Sequence, residues 1–142
     1  MTIAAILNGK GQAVMTIPAD VMVSDAVAML ASKRIGAIPV TDGEHVVGIF
    51  SERDVIYALA EQGADALSHK VRERMTAPAI SVSPGDSVLG ALSLMTRRRI
   101  RHLPVLDDGR LVGFVSIGDL VKYRIERIEA EADAMRDYIQ QA

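Results

Sequence analysis

The chain has 142 residues, with hydrophobic residues at 49%, charged residues at 24% and aromatics at 4%. That is one domain's length with enough aliphatic material for a core, which argues against disorder. The absence of Cys excludes disulfides, thiol catalysis and Cys-ligated metal centres, and a net charge of −2 speaks against non-specific nucleic-acid binding. In chain order, Val14–Ile17 is a short β-prone run ended by Pro18, and Val27, Leu30, Ala31 and Ile35 then recur at helical spacing. Ala37–Thr41 and Val46–Phe50 are strands around the Asp42-Gly43 turn, and a helix opens after Ser51 and stops at Gly63. Ala64–Ala77 is a linker with a helical piece at Val71–Met75. Ala79–Val82 is again β-prone, and Val88, Leu92, Met95 and Ile100 mark a helix. Leu103–Leu106 and Leu111–Val115 flank the Asp107-Asp108-Gly109 turn, and the last helix opens after Ser116 with no Gly or Pro after Gly118.

The second half repeats the first at an offset of 65. Pro39 matches Pro104, Gly48 matches Gly113, Ser51 matches Ser116 and Asp54 matches Asp119. The match runs without a gap from Val14/Ala79 to Ala58/Tyr123, with 11 identities in 45 pairs. Each unit reads β-α-β-β-α. A unit of about 60 residues is marginal alone, so the two are expected to form one domain whose core is their mutual interface. The expected division is 1–63 for the first unit with a short N-terminal helix, 64–125 for the second with the linker helix, and 126–142 for a helical extension.

Ser51-Glu52-Arg53-Asp54 and Ser116-Ile117-Gly118-Asp119 each fall at a strand-to-helix turn. One reading is a capping box that satisfies free helix N–H groups. The other is a ligand site, since a carboxylate is an acceptor suited to a vicinal diol and a helix start favours an anion. Arg97, Arg98, Arg99, Arg101 and His102 form a basic cluster. It either closes a helix in solvent or turns Arg101 toward a phosphate. His45, His69 and His102 share no metal-ligand spacing. Gly9-Lys10-Gly11 lacks the third glycine and preceding strand of a dinucleotide fingerprint, and no activated nucleophile or phosphate loop is present. A non-enzyme is expected.

With its IPV…D…VVGIFSERD and LPVLDDGRLVGFVSIGD stretches, the chain resembles a tandem pair of cystathionine-β-synthase-type (CBS) domains. The resemblance covers about residues 1–125. It implies an α+β (α/β) fold in which two β-α-β-β-α repeats pack around a pseudo-twofold axis, a CBS pair or Bateman module, here with a long C-terminal helix. It implies two clefts that hold adenosine-containing ligands: AMP or another adenine nucleotide such as ATP, ADP or NAD. The first cleft would use Thr16, Val21, Ile35 and Gly36 around the base, Ser116 and Asp119 on the ribose, and Arg101 toward phosphate. The second would use Ser81, Ile100 and Arg101 near the base, Ser51 and Asp54 on the ribose, and Arg53 at the helix start. Gly36 replaces Arg101 and Asp86 replaces Val21 in the duplicate, which ranks the first cleft above the second. Arg101 and Arg53 favour a phosphate-bearing ligand over S-adenosylmethionine.

Val121, Ile125, Ile128, Ala132, Met135 and Ile139 are spaced 4, 3, 4, 3, 4, a heptad seam. The stripe either packs on the chain's own core or, in its distal half, across a dimer interface. A helix of roughly 24 residues extends about 36 Å, longer than so small a module covers. On the dimer reading, deleting 129–142 weakens association. The expectation is therefore a cytoplasmic, non-catalytic homodimer that binds an adenine nucleotide and regulates a separate protein, without nucleic-acid or membrane partners. The alternative is a constitutive dimeric scaffold whose clefts no longer bind ligand.

Overall fold

The computed structural model describes residues 1–11 and 13–141. The first repeat holds β1 (Ile17–Pro18), α2 (Val23–Lys33), β2 (Ala37–Asp42), β3 (His45–Ser51) and α3 (Glu52–Gln62), following the N-terminal helix α1 (Ile3–Lys10). A 3-10 turn (Gly63–Ser68) and the one-turn helix α4 (Val71–Arg74) lead to α5 (Val88–Arg98), β4 (His102–Asp107), β5 (Arg110–Ser116) and α6 (Ile117–Gln141).

The duplication is visible in backbone detail. Both hairpins are antiparallel, and both shift register at matching places, Val40/Thr41 and Val105/Leu106. Both middle helices close on an arginine in the left-handed region, Arg34 at φ 53° and Arg99 at φ 55°. The next residue then donates five back, Ile35 to Leu30 and Ile100 to Met95, satisfying a free helix carbonyl. The second turn has positive φ at both Asp108 and Gly109, the twist that a two-residue hairpin loop prefers.

The opening strands are shorter than the β-prone runs at Val14–Ile17 and Ala79–Val82. β1 pairs parallel to β2 for two residues, and in the second repeat a single bridge joins Val82 to Val105. Ala79 and Ile80 instead line a cleft, and Pro18 and Pro84 lack the N–H that a longer ladder would need.

The expectation of one core at the mutual interface is corrected by the packing. There are two buried clusters, one beneath each hairpin. Each is completed by a helix from outside its own repeat in chain order. Val71 of α4 sits in the first core beside Ile38, Val40 and Phe50. Ile3, Ile6 and Leu7 of α1 sit in the second core beside Leu103, Val105 and Val115. Backbone bonds hold the exchange: Ile3 N–H donates to Asp86 O at 2.9 Å, and Val71 N–H donates to Val21 O at 2.8 Å. The i, i+3, i+4 spacing of Ile3, Ile6 and Leu7 puts all three on one face, and only the second repeat has an uncovered sheet for them. The repeats are thus interlocked by swapped helices, and β3 lies against β5.

Glycine marks where the swapped segments press in. A Cβ on Gly48 would stand 2.7 Å from Met75 Sδ and 2.8 Å from Thr76 O. A Cβ on Gly113 would overlap the Leu7 side chain.

α6 is continuous for 25 residues. Its start is anchored by Leu120, fully buried, and by Tyr123, packed against the second core. From Ile125 to Gln141 every residue is exposed. The distal half therefore does not pack on the chain's own core. No helix among the described residues is long and apolar enough to cross a membrane.

Candidate ligand-binding site

A cleft of about 820 Å³ opens between the repeats. One wall is the end of β3 and the start of α3, with Ser51, Arg53 and Asp54. The other comes from the second repeat, with Ile80 from the segment before α5 and Arg98, Arg99, Ile100, Arg101 and His102 from the turn between α5 and β4. Of the residues assigned to the second cleft, five line this space together: Ser51, Arg53, Asp54, Ile100 and Arg101. Ser81 is exposed next to the lining residue Ile80. Gly36, assigned to the first cleft, also lines it.

Asp54 is the one buried charged residue among those described. Its Oδ2 accepts the Ser51 N–H at 2.8 Å and the Ser51 hydroxyl at 3.0 Å, while Asp54 N–H donates to Ser51 Oγ at 3.4 Å. That is the capping box of α3. Its Oδ1 accepts the Thr76 hydroxyl at 2.8 Å. Thr76 is set there by a two-way backbone bridge to Ile49, both bonds at 2.9 Å. Across the cleft, Arg53 Nη1 donates to the Arg99 carbonyl at 2.8 Å and ties α3 to the end of α5. Arg53, Arg98, Arg99 and Arg101 all line the cleft, as do the acidic residues Glu52 and Asp54.

The pseudo-equivalent carboxylate, Asp119, is held differently. Its Oδ2 accepts the Ser116 N–H at 2.8 Å, and Ser116 Oγ accepts Asp119 N–H at 3.1 Å, so the local cap is the same. The further partner is Lys10, whose ammonium lies 2.6 Å from Asp119 Oδ2 and donates to Phe114 O at 2.7 Å. Burial pushes the Asp119 carboxyl up, but the Lys10 and Ser116 hydrogen bonds outweigh it and hold the group below the usual carboxylate range. The remaining residues assigned to the first cleft are dispersed in role. Thr16 is exposed just before β1, Val21 and Ile35 pack on the first core, and the Arg101 carbonyl accepts Ile117 N–H at 2.8 Å to start α6. Gly36 does the same for α3 through Glu52 N–H at 3.0 Å. The cleft of about 820 Å³ therefore opens beside Asp54.

Sequence reasoning missed the carboxylate partners Lys10 and Thr76 and the cleft-lining Tyr57, while His102, named in the basic cluster, does line the cleft. The first two were within reach. The offset of 65 continues below Val14, where it pairs Lys10 with Met75 and Gly11 with Thr76. His102 stacks on Phe114, ring centroids 5.5 Å apart and planes 13° from parallel. Burial first, then the nearby Lys10 ammonium, holds its imidazole below the ordinary range.

A doubled β-α-β-β-α unit with a cleft at the joint and a Ser-capped Asp at each strand-to-helix turn agrees with the family comparison, in which the CBS domain model matches residues 12–61 and 71–126. The chain belongs to the CBS-domain family. The mitochondrial CBS domain-containing protein CBSX3 of Arabidopsis thaliana is 34% identical over 98% of this chain and 72% of its own length. Among solved structures, the CBS-domain protein ATU1752 of Agrobacterium tumefaciens superposes with a TM-score of 0.85 at 39% identity, covering 87% of this chain and 99% of that one. The CBS-domain protein PAE2072 of Pyrobaculum aerophilum, solved in complex with AMP, superposes with a TM-score of 0.74 at 27% identity, covering 84% and 89%. The chain is a tandem CBS pair with an extended last helix.

Proposed function

We propose that this CBS pair is a regulatory module that binds an adenine nucleotide in the cleft between its repeats, works as a homodimer, and passes its ligand state to a separate protein. The observation that carries this is the Asp54 cleft. It has the volume of a small-molecule site, a carboxylate at a helix start on one wall, and arginines on the other. Asp54 accepts the ribose hydroxyls, with Thr76 as the neutral group to be displaced. Ser51 and the α3 N-terminus face the same ligand. Ile80 and Ile100 provide the apolar walls for the base, with Ser81 and Gly36 at its rim. Arg53, Arg98, Arg99 and Arg101 neutralise phosphate, which favours AMP, ADP, ATP or NAD over the cationic S-adenosylmethionine. The AMP complex of the Pyrobaculum relative supports the ligand class. Thr16, Val21, Ile35, Gly36, Ser116 and Asp119, with Arg101, form the second and less open position. A ligand touching both repeats shifts the module between states only as far as it prefers one of them.

The test is calorimetry and thermal melting with AMP, ADP, ATP, NAD and S-adenosylmethionine. A ligand at 100 times its dissociation constant adds about 2.7 kcal/mol of stability. Asp54→Ala removes most of the binding, whereas Glu44→Ala in the distant hairpin turn leaves it intact. Equal effects of the two changes refute the site. A second reading has its own observation, since Asp54 is buried and already accepts three hydrogen bonds, as a purely structural cap would. No response to any of the five ligands selects that reading, a constitutive scaffold.

A further inference from the structure

The distal half of α6 carries an apolar stripe that the chain itself leaves uncovered. Ile125, Ile128, Met135 and Ile139 are about half exposed or more, and 17 residues from Ile125 to Gln141 extend about 25 Å beyond the last contact with the core. With Ile125 at heptad position a, the seam reads Val121 (d), Ile125 (a), Ile128 (d), Ala132 (a), Met135 (d), Ile139 (a). The flanking e positions are Lys122, Glu129 and Arg136, and the g positions are Arg124, Glu131 and Tyr138. In a parallel coiled coil each g residue faces the e residue five positions later on the partner helix. In register, Arg124 meets Glu129 of the second copy, and Glu131 meets Arg136. Opposite charges coincide at both steps, and the two-fold axis doubles them to four pairs.

From this pattern we infer that the occupant of the stripe is the same stripe of a second copy, running parallel and in register. One antiparallel register that also matches charge sets Lys122 against Glu129 and Arg124 against Glu131. It slides the helices so that Met135 meets Gly118 of the other copy and Ile139 runs past the start of its α6. Two of six layers then lose their partner, and a second antiparallel register, which sets Glu129 against Arg136, likewise leaves Val121 and Ile125 off the partner's stripe. The parallel register keeps all six. It also places the two CBS pairs side by side at the same end of the coil, so that ligand-driven movement in either one bears on a common axis. This inference goes beyond the ligand reading and does not depend on it.

The experiment uses the full chain, which has no native cysteine. Met135→Cys is expected to form a disulfide-linked dimer under mild oxidation, because a parallel seam brings the two copies of this position within the roughly 7 Å that a disulfide spans. Asp133→Cys, on the outer face, is the control and cross-links poorly. In the first antiparallel register the two Met135 positions lie about 25 Å apart, and in the second the two Ile125 positions do, so Ile125→Cys is the companion variant: linkage at both positions is expected, and linkage at only one overturns the inference. Charge reversal gives an independent readout that leaves the body untouched. Glu131→Arg is expected to weaken dimerisation about tenfold by sedimentation, and adding Arg136→Glu restores it. Circular dichroism confirms that each variant is folded. A wild-type chain that sediments as a monomer at about 100 μM, ten times or more above a typical micromolar dissociation constant, overturns the inference, as does rescue by Arg124→Glu in place of Arg136→Glu.

Discussion

The two strand-to-helix turns carry the same motif and the same local cap, yet they hold their carboxylates in different ways. At Asp54 the outer partner is a neutral hydroxyl, Thr76, and the side chain is buried in the wall of the cleft that Arg53, Arg98, Arg99 and Arg101 also line. At Asp119 the outer partner is an ammonium, Lys10, delivered by the swapped helix α1. On the proposed reading, a ribose at Asp54 displaces one neutral hydrogen bond. On the same reading, a ribose at Asp119 has first to separate the Lys10 ion pair. Duplication made the two sites alike, and what differs is the segment that each swap brings in: α4 and its following Thr76 on one side, α1 and its terminal Lys10 on the other. The lesson is that the partner of each carboxylate is set by residues outside the repeated motif.

The largest expected effect tests the swap itself. Ile3 is fully buried in the second core, so Ile3→Ala should destabilise the protein by about 2–4 kcal/mol. Urea titration followed by circular dichroism reads the loss, and a change within about 0.5 kcal/mol would break the assignment of α1 to that core. The glycine pair sharpens the comparison further. Gly48→Ala pushes a Cβ against the Thr76 carbonyl, which belongs to a backbone bridge, whereas Gly113→Ala meets only the flexible end of Leu7. The first should cost about 1–3 kcal/mol and the second clearly less. An equal or reversed order in thermal melts would show that the two sides yield alike.

Lys10→Ala should change stability by no more than about 1 kcal/mol, because the pair is partly solvated. Its expected consequence is in binding: calorimetric stoichiometry rises from one nucleotide per chain to two. An unchanged stoichiometry would mean that Lys10 does not guard the second position. The smallest effects are in pH. The Asp119 carboxyl sits below its ordinary 3.8, so its contribution is complete above that value and is lost as pH falls through the folded pKa. Lys10→Ala should flatten that acid limb. The His102 imidazole sits below its ordinary 6.5, so the unfolded chain takes up its proton first, and stability declines as pH drops below about 6.5. His102→Gln should remove that decline between pH 7.5 and 5.5, and a slope identical to the wild type would remove His102 from the account.

Much of this was open to sequence reasoning, and particular residues show why. Pro39/Pro104, Gly48/Gly113 and Ser51-x-x-Asp54/Ser116-x-x-Asp119 give the repeat, the hairpins and the helix starts. These depend on turn chemistry and short-range periodicity, which act within a few residues. Gly63 ends α3 for the same local reason, with φ at 61°. The relative openness of the two clefts was not accessible in that way. It depends on which distant segment reaches each carboxylate, Thr76 at Asp54 and Lys10 at Asp119.

The sequence by itself determined that the chain is a doubled β-α-β-β-α unit, that each unit presents a Ser-capped Asp at a strand-to-helix turn, and that the last helix carries a seam too long for one module to cover. All three are properties of spacing, and spacing survives without coordinates. Only the tertiary structure decided that α1 and α4 trade places between the cores, that Asp54 lies in the wall of the arginine-lined cleft while Asp119 is held by Lys10, and that the seam from Ile125 onward stays bare. Those outcomes depend on which of two similar sheets a helix covers. The deciding quantity is the burial of a few side chains distant in sequence from the groups they pack against, such as Ile3 beside Leu103 or Val71 beside Ile38, and periodicity carries no record of that choice.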